Sequence, residues 1–337
     1  MIGPLPLRAA LRRGALVTAA NWPVVFVEFA IESVFMIALA VPVVGGALMA
    51  ASLVGADVNE VLGEGVRSTA DVVFAFLTST PGALASFLVA LGVVALGGEV
   101  LMFIVKSCTF MVLVQGERQM PDVEDAPLDL DVIRQSHAFT LERLLVAGER
   151  FWRRAAALAL SLGGGYVVVG ASYVAVVALG MSSSYVGGAI GAWPLLLLVA
   201  TSAGVVGVTI INLAYDLVRV IVITDDCSVA DAIARLRRFV IDDARQVIGI
   251  FAVMSTVGML AAAVAILATA GTTLVGSLPF LGLLLVPLQA ATWLVRGLLF
   301  QYLSLASLSA YQAQYRRFGD RRAWTPSRPA PEVTTAP

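Results

Sequence analysis

Residues 191–223 read GAWPLLLLVATSAGVVGVTIINLAYDLVRVIVI, a run whose only charged residues are Asp216 and Arg219. A helix that is apolar on every side for this length is either wholly buried or in lipid, and roughly 20 such residues cross the hydrocarbon core. Working outward, comparable runs occupy about 24–54, 83–114, 154–180, 246–270 and 278–310. Together they predict an all-α membrane protein of six transmembrane helices, arranged as three hairpins. The 337 residues are 59% hydrophobic and 13% charged, whereas soluble domains are roughly 45–50% apolar and about 25% charged. The first run follows Arg8, Arg12 and Arg13, as a signal peptide would. It is far longer than a signal core of roughly 7–15 residues, and it holds Glu28 and Glu32. It is therefore expected to be a retained first span. Pro42 and Pro287 are the expected kinks, because proline removes a backbone donor.

Arginine sets the orientation. It concentrates before the first span, in the second and fourth connections and after the sixth span, while the other three connections hold only Arg67. The positive-inside rule then puts both termini in the cytoplasm, and a bacterial inner membrane is the expected location. The first outer connection contains an amphipathic stretch, Val58–Leu77; the other two turn on Ser182-Ser183-Ser184 and Gly271-Thr272-Thr273. Each hairpin is preceded by a basic amphipathic helix expected at the interface: Leu7–Ala20, Ile133–Arg154 and Ser228–Arg245. In the third, Val229, Ile233, Leu236 and Val240 share a face, and Ser228 with Asp231 forms a capping box. Arg143, Arg150, Arg153, Arg154, Arg235, Arg237 and Arg238 are the candidate contacts to anionic lipid headgroups or a protein partner. Topological anchoring accounts for them as well. The six-span domain is expected over residues 1–315, and a disordered cytoplasmic tail over 316–337.

Seven charges fall inside the predicted spans: Glu28, Glu32, Glu99, Lys106, Asp216, Arg219 and Arg296. Such residues usually face the bundle interior with a partner. Counting ~1.5 Å of rise per residue matches their depths. It suggests Glu32 with Lys106, Glu99 with Arg296, and Glu28 near Arg219, with Asp216 one turn from Arg219 as a local partner. The charges can serve as a proton or cation relay in a carrier, or as pairs that fix helix packing. Asn212, Gln289 and Gln301 are candidate interhelical hydrogen-bonding groups, and Gly163-Gly164-Gly165 with Gly170-Ala171 offers close helix approach.

Nothing in the sequence supports an enzyme, cofactor or metal. His137 is the only histidine, and Cys108 and Cys227 lie in no Cys-x-x-Cys spacing. Neither a nucleophile elbow nor a zinc-protease motif is present. The acidic stretch Asp122, Glu124, Asp125, Asp129, Asp131 lacks the glycine and terminal glutamate of a calcium loop. Asp225-Asp226 and Asp242-Asp243 have no third acid at metal spacing. A net charge of −1 gives no reason to expect nucleic acid.

The segment Tyr215-Asp216-Leu217-Val218-Arg219, followed by Asp225, Asp226, Ser228 and the arginines to Arg238, resembles a segment of uncharacterised bacterial six-span membrane proteins. The broad architecture is similar to the membrane domain attached to some glycerophosphodiester phosphodiesterases. The resemblance implies a fold type and a bacterial inner membrane. It carries no phosphodiesterase activity, because no catalytic barrel domain accompanies it. The functional expectation is a small transporter or permease-like protein, or else a non-catalytic scaffold or envelope-assembly factor.

Overall fold

The computed structural model describes residues 5–54, 81–121, 130–187, 193–276 and 281–324. Among these the chain is helical, with no strands. The helices are α1 (Leu7–Ala20), α2 (Trp22–Val54), α3 (Pro81–Gln119), α4 (Leu130–Gln135), α5 (Leu141–Gly187), α6 (Trp193–Asp225), α7 (Val229–Asp242), α8 (Ala244–Gly276) and α9 (Leu281–Trp324). Five stretches are long and apolar enough to cross a membrane: Trp22–Pro42, Ala85–Gln119, Leu141–Met181, Trp193–Asp225 and Ala244–Gly271. The sixth expected segment, 278–310, coincides with α9 from Leu281 onward and is not among the five. The most apolar part of that segment, up to residue 286, falls outside the residues whose side chains are described.

Buried side chains gather at one end of every long helix. They include Val24, Val25 and Phe29 of α2, Phe110, Leu113 and Val114 of α3, Phe151, Leu158 and Leu162 of α5, Leu217–Ile223 of α6, Val247 and Ile250 of α8, and Leu305, Leu308 and Tyr311 of α9. This is the arginine-rich end. Toward the other end large apolar residues face outward, among them Val93, Leu96, Val167, Val174, Leu195, Leu198, Leu260 and Leu267. That division suits a chain whose outward apolar surface is covered by lipid rather than water, since a soluble monomer rarely exposes so much. The pattern is that of a multi-pass membrane protein.

The lead-in helices are more deeply engaged than interfacial helices would be. In α1, Ala10, Gly14, Val17 and Thr18 are fully buried against α9. There Tyr302 Oη donates to the Ala15 carbonyl at 3.0 Å, and the hydroxyls of Thr18 and Ser309 lie 3.5 Å apart. α7 buries Ala232 and Phe239; Val229, Leu236 and Val240 flank them, while Ile233 faces outward. Ser228 Oγ accepts from the Asp231 amide at 3.2 Å and donates to its carboxylate at 2.7 Å, so the expected cap forms. The middle lead-in is not separate. α4 ends at Gln135, and α5 then runs without interruption from Leu141 to Gly187. Its start is fixed by Asn21, whose Nδ2 donates to the Ser136 carbonyl at 2.9 Å while Oδ1 accepts from the Ala138 and Phe139 amides. With a further bond to the Val17 carbonyl, this buried amide uses its full capacity.

Several boundaries move. Ser182-Ser183-Ser184 and Gly271-Thr272-Thr273 are helical rather than turns, because α5 and α8 extend past them. α2 and α9 continue through Pro42 and Pro287. Beyond Arg316, where a tail was expected, α9 stays helical to Trp324. Phe318 is buried there beside Phe239 and Tyr315, and Arg316 and Arg321 pair with buried acids. Val58–Leu77, the acids 122–129 and the tail 325–337 lie outside the described residues. Of the expected small-residue seam in α5, Gly165 packs on α6, where an added Cβ would meet the Ile211 side chain at 3.4 Å, while Gly163, Gly164 and Gly170 would meet nothing within 4 Å. The closest approach of a glycine to another helix's backbone among the described residues is at Gly14, where a Cβ would stand 2.5 Å from the Ala306 carbonyl oxygen.

Candidate functional site

Of the three depth-matched pairs, one forms. Glu28 of α2 and Arg219 of α6 are both buried, with Nη2 3.9 Å from Oε1. Thr109 of α3 donates its hydroxyl to the same carboxylate oxygen. Arg219 also donates to the Lys106 carbonyl and lies over the Phe110 ring, 5.3 Å from its centroid. The ion pair is thus enclosed by three helices, the arrangement in which a buried charge pair is tolerated.

The other two pairs do not form. Glu32 accepts from Gln301 of α9 rather than meeting Lys106. Glu99 and Arg296 are both exposed and make no ion pair with each other. Arg296 instead lines a groove of about 380 Å³ between α2 and α9 with Glu32, Phe29, Trp293 and Gln301. The Phe29 and Trp293 rings meet edge to face there at 5.3 Å. Depth fixes a residue's height but not which way its helix turns, and rotation decides these partners. Of the candidate amide groups, Gln301 bridges α9 to α2, and Asn212 accepts from Tyr166 to bridge α6 to α5.

Asp216 is placed differently from its neighbour. Arg219, one turn away, has turned to Glu28 and α3, so the expected local pair is absent. Asp216 makes no hydrogen bond or ion pair among the described residues. It opens into a groove of about 370 Å³ where α6, α8 and α9 meet. Thr209 and Asn212 of α6, Ser255 of α8, and Ser304, Ser307 and Tyr311 of α9 line it too. One carboxylate thus shares a groove with five hydroxyls and an amide inside largely apolar helices. The serines and Tyr311 were missed in the sequence because single hydroxyls in a long helix carry no periodic signal.

At the arginine-rich end four carboxylates are paired. Glu117, almost fully buried, lies between Arg13 of α1, at 2.9 Å, and Arg316 of α9. Asp243, equally buried, receives Arg321 and Gln314. Asp225 accepts from Arg235 and, at 2.6 Å, from the Tyr315 hydroxyl. Asp226 accepts from both Arg150 and Arg154 of α5. Among the candidate contact arginines, Arg143 caps the Ala138 carbonyl, Arg153 lies over Trp152, and Arg237 and Arg238 are exposed on α7. Hydrogen bonds from Arg150 and Arg154 hold the Asp226 carboxyl below the ordinary carboxylate range. Burial, then the bond to Asp225, pushes the Tyr315 hydroxyl up. Burial raises the Cys227 thiol; Cys227 and the buried Cys108 are both free. His137 Nδ1 lies 2.9 Å from the Ala20 carbonyl.

Among the described residues no group of three or more His, Cys, Asp or Glu side chains is placed to hold a metal ion. Comparison with protein-family models, with curated proteins and with solved structures finds no match for this chain. Its class therefore rests on its own fold: a multi-pass α-helical membrane protein with an ion-paired body at one end and charged grooves among its apolar helices.

Proposed function

We propose that this protein is a small permease-like carrier of the bacterial inner membrane, with six spans and both termini in the cytoplasm, and that its site is the groove around Asp216. The supporting observation is that Asp216 is a carboxylate without a salt-bridge partner among hydroxyls from three helices. An unpaired ionisable group inside a membrane bundle is expensive to keep unless it handles an ion or a solute. The hydroxyls and the Asn212 amide suit a small cation, or a solute that presents donors to the carboxylate and acceptors to the hydroxyls. The distribution of arginine supports the orientation. α9 acts in this reading as the sixth span, its polar face turned to the grooves rather than to lipid.

The first test uses purified protein in liposomes carrying an imposed membrane potential. Proton entry is followed with a trapped pH dye and sodium entry with a radioactive tracer. Wild-type protein is expected to carry one of the two above the rate of empty vesicles, and Asp216→Asn to lower that rate at least ~10-fold, as loss of an essential proton-transferring group does. Wild-type rates equal to those of empty vesicles for both ions would refute the carrier reading.

A second reading, a scaffold or assembly factor that binds lipid or a protein partner at its Arg-rich helices, is favoured by the enclosed Glu28–Arg219 pair and the ion-paired body. It predicts that Asp216→Asn leaves the protein's cellular role intact while changes on α7 abolish it.

A further inference from the structure

A cavity of about 460 Å³ opens at the arginine-rich end, where the ends of α3 and α6 meet α7 and the last turns of α9. Arg118, Arg235, Arg238 and Arg316 line it, with Asp225, Asp320 and the Tyr315 hydroxyl. Four guanidiniums face two carboxylates there, so two positive charges are uncompensated within the lining. The neighbouring Glu117 does not remove the excess, because it is shared between Arg316 and Arg13.

The pairing within the cavity shows which groups are available. Asp225 is satisfied by Arg235 and Tyr315. Arg316 is anchored by Glu117. Arg118 makes only a 3.4 Å bond to the Thr224 carbonyl. Arg238 has no hydrogen-bond or ion-pair partner among the described residues and is exposed. Arg118 on α3 and Arg238 on α7 therefore line the cavity without an acid paired to either, beside the anchored Arg235 and Arg316.

We infer that this cavity binds a phosphate group. A guanidinium offers paired donors in one plane, which match two oxygens of a phosphate. Guanidiniums on separate helices can take different oxygens of one tetrahedral anion, which a planar carboxylate matches less well. The cavity has the size of a small-molecule site. It also lies on the helix that keeps Ile233 and Ile241 exposed, so a phospholipid headgroup and a soluble phosphate can both reach it. The inference is independent of the Asp216 groove.

The test uses the full chain in nanodiscs. In one arm the discs are pure phosphatidylcholine, and inorganic pyrophosphate is titrated calorimetrically. In the other they contain phosphatidylglycerol, and lipid retained on extraction is counted by native mass spectrometry. Wild type is expected to bind in at least one arm. The first arm alone identifies a soluble phosphate; the second, with or without the first, identifies the headgroup. Arg118→Gln/Arg238→Gln should weaken binding roughly 10-fold or more, and Arg238→Lys should keep part of it. Arg245→Gln removes an exposed charge from outside the lining and should change nothing. If the double variant misfolds, Arg238→Gln alone carries the test. No binding in either arm, or equal losses for Arg245→Gln and Arg238→Gln, overturns the proposal, the latter because it marks general surface attraction.

Discussion

Asp226 shows how much a single side chain does in this chain. Its backbone has φ 51°, the left-handed region that closes α6, and aspartate tolerates it better than most residues. That turn aims the carboxylate back at Arg150 and Arg154, joining the end of α6 to α5. The folded carboxyl titrates below its unfolded value. The resulting stabilisation is therefore complete above the ordinary carboxylate range of about 4 and is lost as pH falls through the lower folded value. Because the site is partly exposed, the effect is small, about 0.5–1 kcal/mol. Asp226→Asn keeps the backbone tolerance and removes the charge, so it should lower the thermal midpoint at pH 7, progressively less as pH falls below about 4, and less at high salt. Glu28 sits at the opposite extreme of burial. Glu28→Ala leaves Arg219 charged and enclosed, and is expected to lose about 3–5 kcal/mol in detergent unfolding. The double change Glu28→Leu/Arg219→Met should be milder than either single change; a strictly additive loss would show that the two are not coupled.

Among the helices, glycine separates contact from composition. Gly14→Ala would put a methyl carbon 2.5 Å from the Ala306 carbonyl oxygen and 2.7 Å from the Ala310 nitrogen. Neither backbone atom can turn aside, so α1 must move off α9, at about 1–3 kcal/mol. Gly163→Ala meets nothing and should be neutral or raise stability by up to about 1 kcal/mol through helix propensity. Thermal unfolding of both variants checks the contrast, and equal effects would contradict this packing. The same contrast explains what could be read in advance. Apolar runs are local, so helices over most of the expected spans were visible in the sequence, as was the cap at Ser228. Glu28 and Arg219 were matched by depth alone, because both lie near one end where little height is left to choose. Glu32 and Arg296 were assigned elsewhere, since a helix's rotation depends on all its neighbours at once. Of the glycine-rich stretch of α5 only Gly165 faces a neighbour, Ile211 of α6, because composition does not say which glycine the helix turns inward.

Across the whole molecule, polar contacts cluster where arginine does, and apolar surface dominates elsewhere. If that surface lies in lipid with the arginines inside, a fluorescent protein fused after Pro337 should glow, and a periplasm-dependent phosphatase at the same position should be inactive. An active phosphatase would invert the topology. Maleimide should reach Cys227 in opened cells and leave Cys108 untouched unless the protein is unfolded. The packing of α1 against α9 has a further consequence for biogenesis. Thr18 and Ser309, which face each other in that contact, are separated by 291 residues of chain. The ribosome delivers α1 first and its socket last. During synthesis the face around Gly14 has no native partner, and no intermediate length of chain can supply one. Assembly must therefore finish by a late docking of the two extremities, so a premature stop anywhere before α9 leaves an open body that membrane proteases can recognise.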